Sequence, residues 1–167
     1  NQDKTHVLAV NGEIYNHKTL ASQLTVDYKF KTRSDCEVIL PLYEEFGSGF
    51  VDKLQGMFAF CLYNANDNSY LIARDHIGII PLYTGHDEDG NFYVASEMKA
   101  LMPICKTVSE FPPGHILDSR VGKVEKYYKR NWQKYDAIKD NHTNKNKLRE
   151  ALEDSVQSHL MTDVPYG

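Results

Sequence analysis

The sequence predicts an α+β fold in which antiparallel sheets are covered by helices. Three observations carry this. Apolar and aromatic runs of strand length recur around turn-forming residues, as in Met57–Tyr63 and Tyr70–Ala73 about Asn64-Ala65-Asn66-Asp67-Asn68. Two helical patterns precede the run of consecutive hairpins, an order that suggests α+β. Finally, Met57-Phe58-Ala59-Phe60-Cys61-Leu62 is apolar on both faces. Such a strand must be covered on both sides, which two stacked sheets between helix layers would achieve.

Taken in order, His6–Val10 reads as a short apolar strand. His17–Leu24 reads as a helix, with Asn16 as its N-cap and Leu20 and Leu24 on one face. Asp27–Lys31 has strand character. Ser34 opens a second helix with a capping box, Ser34-x-x-Glu37, and Val38, Leu42 and Phe46 follow at helical spacing up to Gly47. Pro41 inside it predicts a kink. A second hairpin spans Leu82–Gly85 and Phe92–Ala95, and a third spans His115–Asp118 and Lys123–Tyr128. A short helix, Ser96–Met102, lies between them. Trp132 to Asn141 reads as a polar linker. Leu148, Leu152, Val156 and Leu160 then mark a final helix over Lys147–Leu160. The chain thus divides into a domain over 1–132 and the start of a second over 133–167.

Composition narrows the function classes. The chain has 167 residues, a hydrophobic share of 41% and a formal net charge of −4. That supports one sizeable core and gives no basic stripe for nucleic acid. Cys36, Cys61 and Cys105 show no CxxC spacing, and the seven His are scattered. Neither a disulfide framework nor a metal centre is expected, and a reducing cytoplasm fits best. No apolar run is long enough to span a membrane, and no signal peptide is visible.

Chemistry concentrates at Asn11-Gly12. Asn-Gly is first a hairpin signal, because a type I′ turn needs positive φ at both central residues. Here a loop and helix follow, so the pair is read as the corner where a sheet edge hands over to a helix. An Asn amide and a neighbouring backbone N–H can both address one carbonyl oxygen, and glycine permits close approach. Asp35 presents a similar choice. Its plain role is a carboxylate favoured by a helix start; its functional role is to hold an ammonium group.

Five motifs then occur in one order: Asn11-Gly-Glu-Ile-Tyr-Asn16, Ser34-Asp-Cys-Glu37, Gly56-Met-Phe-Ala-Phe60, Arg74-Asp-x-x-Gly-x-x-Pro-Leu-Tyr83 and Ala95-Ser-Glu-Met-Lys-Ala-Leu101. Together they resemble the glutaminase domain of the glutamine-hydrolysing asparagine synthetases, which are class II, N-terminal-nucleophile amidotransferases. Parts of the pattern are shared with glucosamine-phosphate synthase and amidophosphoribosyltransferase. Phe111-Pro112-Pro113-Gly114, Tyr127-Tyr128, Trp132 and the last helix favour the synthetases, because they resemble the passage into an ATP-using domain.

The resemblance implies a four-layer αββα sandwich, incomplete at its start. It implies that Asn11 and Gly12 stabilise the oxyanion of glutamine hydrolysis. It further implies that Asn11, Gly12, Glu13 and Asp35 bind glutamine, Asp35 taking the α-ammonium group. The family reaction uses glutamine, aspartate, ATP and Mg2+, passes through β-aspartyl-AMP, and leaves room for a homodimer. The family nucleophile is an N-terminal Cys, whereas this chain begins with Asn1. A family Arg that grips the substrate carboxylate is missing, and Arg33 does not replace it. The Ser-Gly-Gly loop for pyrophosphate, expected after Asp163-Val164-Pro165-Tyr166-Gly167, is absent. The chain is therefore expected to be an internal piece, inactive alone. The competing expectation is a non-catalytic glutamine-binding module of the same fold. Cys36, in the first turn of a helix, is a weak candidate for a reactive thiol. Arg74-Asp75 reads as a local ion pair in the scaffold.

Overall fold

The computed structural model describes residues 3–142 and 144–161. Asn1 and the run Asp163–Gly167, on which two of the expectations above rest, lie outside them. The chain forms two compact units, one ending at Tyr128 and one starting at Lys129.

The first unit is built on two antiparallel sheets. One has the order β1-β2-β3-β7-β8, from β1 (His6–Ile14), β2 (Gly56–Asn64), β3 (Ser69–Arg74), β7 (His115–Asp118) and β8 (Lys123–Lys126). The other has the order β5-β4-β6, from β4 (Tyr83–His86), β5 (Phe92–Ala95) and β6 (Thr107–Glu110). Alternation along each strand assigns the layers. Phe58, Phe60 and Leu62 of β2, with Leu71 and Ala73 of β3, face a helical layer. That layer comprises α1 (His17–Ser22), a 3-10 turn (Asp35–Val38), α2 (Ile39–Phe46) and a 3-10 segment (Gly47–Lys53). Ala59 and Ile72 face the other way and meet Leu82 and Phe111 between the sheets. The first core is the larger, and at its centre Phe60 stacks against both Phe50 and Phe58. Truncating one such ring costs about 3–5 kcal/mol. On the outer face of the three-stranded sheet, Gly85 leaves room for Cys105, which follows α3 (Met98–Leu101). A Cβ on Gly85 would stand 2.7 Å from the Cys105 sulfur. The αββα order is thus recognisable, with α3 as the single-turn remnant of its fourth layer.

Several local expectations change. Asp27–Lys31 is irregular, because the Lys31 and Thr32 amides donate to Glu37 rather than to a strand (both 2.7 Å). Pro41 is the third residue of α2, where its missing N–H leaves no intrahelical bond broken. The 3-10 turn runs into α2 with helical backbone at Val38 and Ile39, just before Pro41. Asn16 does not cap α1 with its side chain; it clasps the start of β2, donating to the Lys53 carbonyl and accepting from the Gln55 amide.

The second unit holds a 3-10 turn (Asn131–Gln133), α4 (Tyr135–Ile138) and α5 (Lys145–His159). Asn144 caps α5, its side chain accepting from the Asn146 and Lys147 amides. Leu148, Leu152, Val156 and Leu160 are exposed along it.

Candidate glutamine-binding site

The expected corner at Asn11-Gly12 is not a corner. β1 runs straight through it to Ile14, paired with β2 in the register Asn11–Ala59, Gly12–Phe58, Glu13–Met57 and Ile14–Gly56. The strand returns to the chain only at Tyr15-Asn16. Tertiary pairing therefore overrides the local turn preference of Asn-Gly. The glycine is required for a different reason. Gly12 has φ of +138°, and a Cβ there would sit 2.0 Å from the Met57 carbonyl oxygen. Across the ladder, a Cβ on Gly56 would sit 2.0 Å from the Glu13 carbonyl oxygen. The two glycines let the ends of β1 and β2 approach more closely than side chains permit.

The direction of the Gly12 N–H follows from the ladder. The Phe58 carbonyl accepts from the Asp75 amide at 2.8 Å, and the Phe58 amide donates to Asp75 Oδ2 at 3.3 Å. Both polar groups of Phe58 thus point away from β1. A planar trans peptide then turns the Ala59 N–H toward β1, where it faces the carbonyl of Asn11. The same rule turns the Gly12 N–H away from β2. β1 is the edge of its sheet, so this N–H faces the open side. Two contacts agree with that phase. The Ile14 amide donates to Asp35 Oδ2, and the Gly12 carbonyl lies 3.4 Å from Cys36 Sγ.

Asp35 opens the 3-10 turn packed beside this edge. One of its oxygens holds Ile14, while Oδ1 accepts no hydrogen bond among the described residues. The carboxylate is half-buried and keeps acceptor capacity for a cation. Glu13 lies close enough to act on the same thiol as Asp35 does. That thiol, Cys36, is pushed up to about 12, first by burial, then by the carboxylates of Asp35 and Glu13. It stays protonated near neutrality and is no nucleophile.

Asn11 and Glu13 alternate onto the other face of β1. The Asn11 side chain is exposed and borders a cleft of about 200 Å3 between the sheets, with Ala59, Leu82, Val94 and Ser96. Gly12, Asp35 and Cys36 therefore gather on the open edge, and the side chain of Asn11 lies around the strand from them.

The capping box fails. Ser34 makes no side-chain cap. Glu37, 8% exposed, instead accepts from Thr32 Oγ1, from the Lys31 and Thr32 amides and from Tyr28. Burial raises its pKa, but these hydrogen bonds together outweigh burial and leave it below the usual carboxylate range. Glu37 thereby pins the loop that leads into Asp35.

Arg74 and Asp75 also differ from a surface ion pair. Arg74 is 4% exposed and donates to the carbonyls of Gly78, Ile80 and Phe111 and to Glu110. Asp75 is fully buried and accepts from the amides of Phe58, Ile77, Gly78, Ile79 and Ile80. Sequence reasoning took this aspartate for scaffold and missed its bond to Phe58, the residue paired with Gly12. The signal was Asp75-x-x-Gly78, a spacing at which an aspartate gathers its own loop amides.

The sequence profile of the glutamine amidotransferase domain matches residues 1–134. Asparagine synthetase B [glutamine-hydrolyzing] of Escherichia coli is 64% identical over the whole chain, which covers 30% of that relative. Asparagine synthetase [glutamine-hydrolyzing] 2 of rice is 48% identical over the whole chain, which covers 28% of it. Glutamine phosphoribosylpyrophosphate amidotransferase of B. subtilis superimposes with a TM-score of 0.64 at 28% identity, over 78% of this chain and 31% of that one. That likeness fits the N-terminal-nucleophile type of sandwich. The chain spans less than a third of the curated relatives it matches and belongs to the glutamine amidotransferase domain family.

Proposed function

We propose that this chain forms the glutamine pocket of a glutamine-hydrolysing asparagine synthetase, with its second unit beginning the ATP-dependent synthetase domain. The observation that carries the reading is the Gly12 N–H, turned to the open edge beside an Asp35 carboxylate with acceptor capacity to spare. In this reading the Gly12 N–H and the Asn11 amide donate to the oxygen of the glutamine carboxamide as it gains charge. Asp35 accepts from the α-ammonium group, and Glu13 adds negative charge to that end of the pocket. The family resemblance implies an N-terminal cysteine as nucleophile, a role Cys36, which stays protonated, does not fill. Ammonia so released would amidate aspartate activated by ATP. Among the described residues no group of three or more His, Cys, Asp or Glu is placed to hold a metal ion. The exposed apolar stripe of α5 agrees with a helix that further synthetase chain would cover.

The test is Asn11→Ala in the full-length polypeptide. Glutamine hydrolysis should fall by about 10²–10³-fold, while synthesis from free ammonia persists. Equal loss of both activities would remove the oxyanion role. A wild type that binds glutamine without hydrolysing it would establish the non-catalytic module instead.

A further inference from the structure

The β2–β3 ladder ends at the pair Ala59–Arg74. One residue further, the arrangement changes. The Asp75 amide still donates to the Phe58 carbonyl, but the Asp75 carbonyl turns away to accept from Gly78 and Gly114. The Phe58 amide would be left without its ladder acceptor. The Asp75 carboxylate takes that place, Oδ2 accepting from Phe58. This substitution occurs at the residue paired with Gly12, where the strands meet backbone to backbone with no room for a Cβ.

We propose that Asp75 is a positioning residue for glutamine hydrolysis: its carboxylate fixes the orientation of Phe58 and, through the adjacent Asn11–Ala59 pair, the direction of the Gly12 N–H. The inference rests on the reading of Gly12 as an oxyanion donor. Asp75 touches no substrate itself. Its other oxygen accepts from Ile77, Gly78 and Ile79, so the loop and the site strand share one buried anchor. Arg74 braces the loop from the opposite side through the carbonyls of Gly78 and Ile80. A donor that must meet developing charge gains from being fixed in advance, and small misplacements are costly.

The experiment is Asp75→Asn in the full-length polypeptide. Asparagine keeps the shape but presents an NH2 group to amides that need an acceptor. Glutamine kcat should fall by about 10–100-fold, with KM within about twofold because Asp35 and Glu13 are untouched. Synthesis from free ammonia should be unchanged. A folded variant with wild-type kcat would overturn the inference, as would a parallel loss of kcat and ammonia-dependent synthesis. If the wild type itself hydrolyses no glutamine, the functional reading falls first. Should Asp75→Asn not fold, amide exchange of the wild type decides. A chloroketone analogue of glutamine should slow the Gly12 amide and leave Phe58, already protected, unchanged. Free exchange at Phe58 overturns the role of Asp75; a Gly12 amide that ignores the analogue overturns the oxyanion reading.

Discussion

Asp35 and Asp75 each stand at the start of a turn, and each accepts from an amide near a strand end, Ile14 of β1 and Phe58 of β2. Asp75 is fully buried and receives five backbone amides. Asp35 is half-buried and receives one, from Ile14. The first carboxylate is saturated and can only hold structure. The second is held through one oxygen, by the Ile14 amide and the Cys36 thiol, and its Oδ1 accepts no hydrogen bond among the described residues. In the proposed reading, the number of amides a carboxylate already satisfies would separate scaffold from binding site better than its place in a motif does.

The largest effect should come from emptying the saturated anchor. Asp75→Ala orphans five buried or half-buried amides at once. Each unsatisfied donor costs about 1–3 kcal/mol, partly relieved by water at the loop. A net loss of about 4 kcal/mol is expected, read as a lowered denaturant midpoint with an unchanged slope. A loss under about 1 kcal/mol would break the contrast between the two aspartates.

Glu37 stands between them. It accepts from three backbone or hydroxyl groups of the loop at 31–32, yet serves to orient Asp35. Glu37→Gln should cost about 2 kcal/mol, because an amide cannot accept on both sides. The folded pKa lies below the ordinary value, so the wild type binds fewer protons folded than unfolded near that value. Its contribution is therefore complete above the ordinary glutamate range, about pH 4.3, and is lost as pH falls through the lower folded value. The stability gap between wild type and Glu37→Gln should close on acidification. A gap that persists unchanged to low pH would contradict the sign.

The sequence made the hairpins legible, because turn residues bracket alternating apolar runs at Asn64–Asn68 and Asp87–Gly90. It hid β6, whose Thr107-Val108-Ser109-Glu110 shows one apolar residue in four. That strand is held by pairing with β4 rather than by burial. Asn11 through Ile14 were misplaced for a related reason. The local preference of Asn-Gly for a turn is weaker than nine registered pairs with β2, and no local signal reports a distant strand. Ser34-x-x-Glu37 fits a capping box by spacing, but spacing says nothing of where a glutamate points. The five motifs did identify the family, since motif order survives such local errors. The candidate residues Asn11, Gly12, Glu13 and Asp35 came from that order. What burial added was the opposite states of two aspartates that spacing alone makes equivalent.

The finest distinction is the one Asp35→Asn draws. Asparagine can still accept from the Ile14 amide through its one oxygen, so stability should change by less than about 1 kcal/mol. What disappears is the charge. A charge-assisted hydrogen bond to an ammonium group is worth about 1.5–3 kcal/mol, or roughly 10–100-fold in binding. In the full-length polypeptide the KM for glutamine should rise by that factor, with kcat nearly kept and ammonia-dependent synthesis unaffected. Raising the salt should shrink the difference between wild type and variant, because Asp35 is only half-buried and its field is screened. If KM stays at the wild-type value while stability drops, Asp35 joins Asp75 as an anchor, and spare acceptor capacity would not mark a binding carboxylate in this fold.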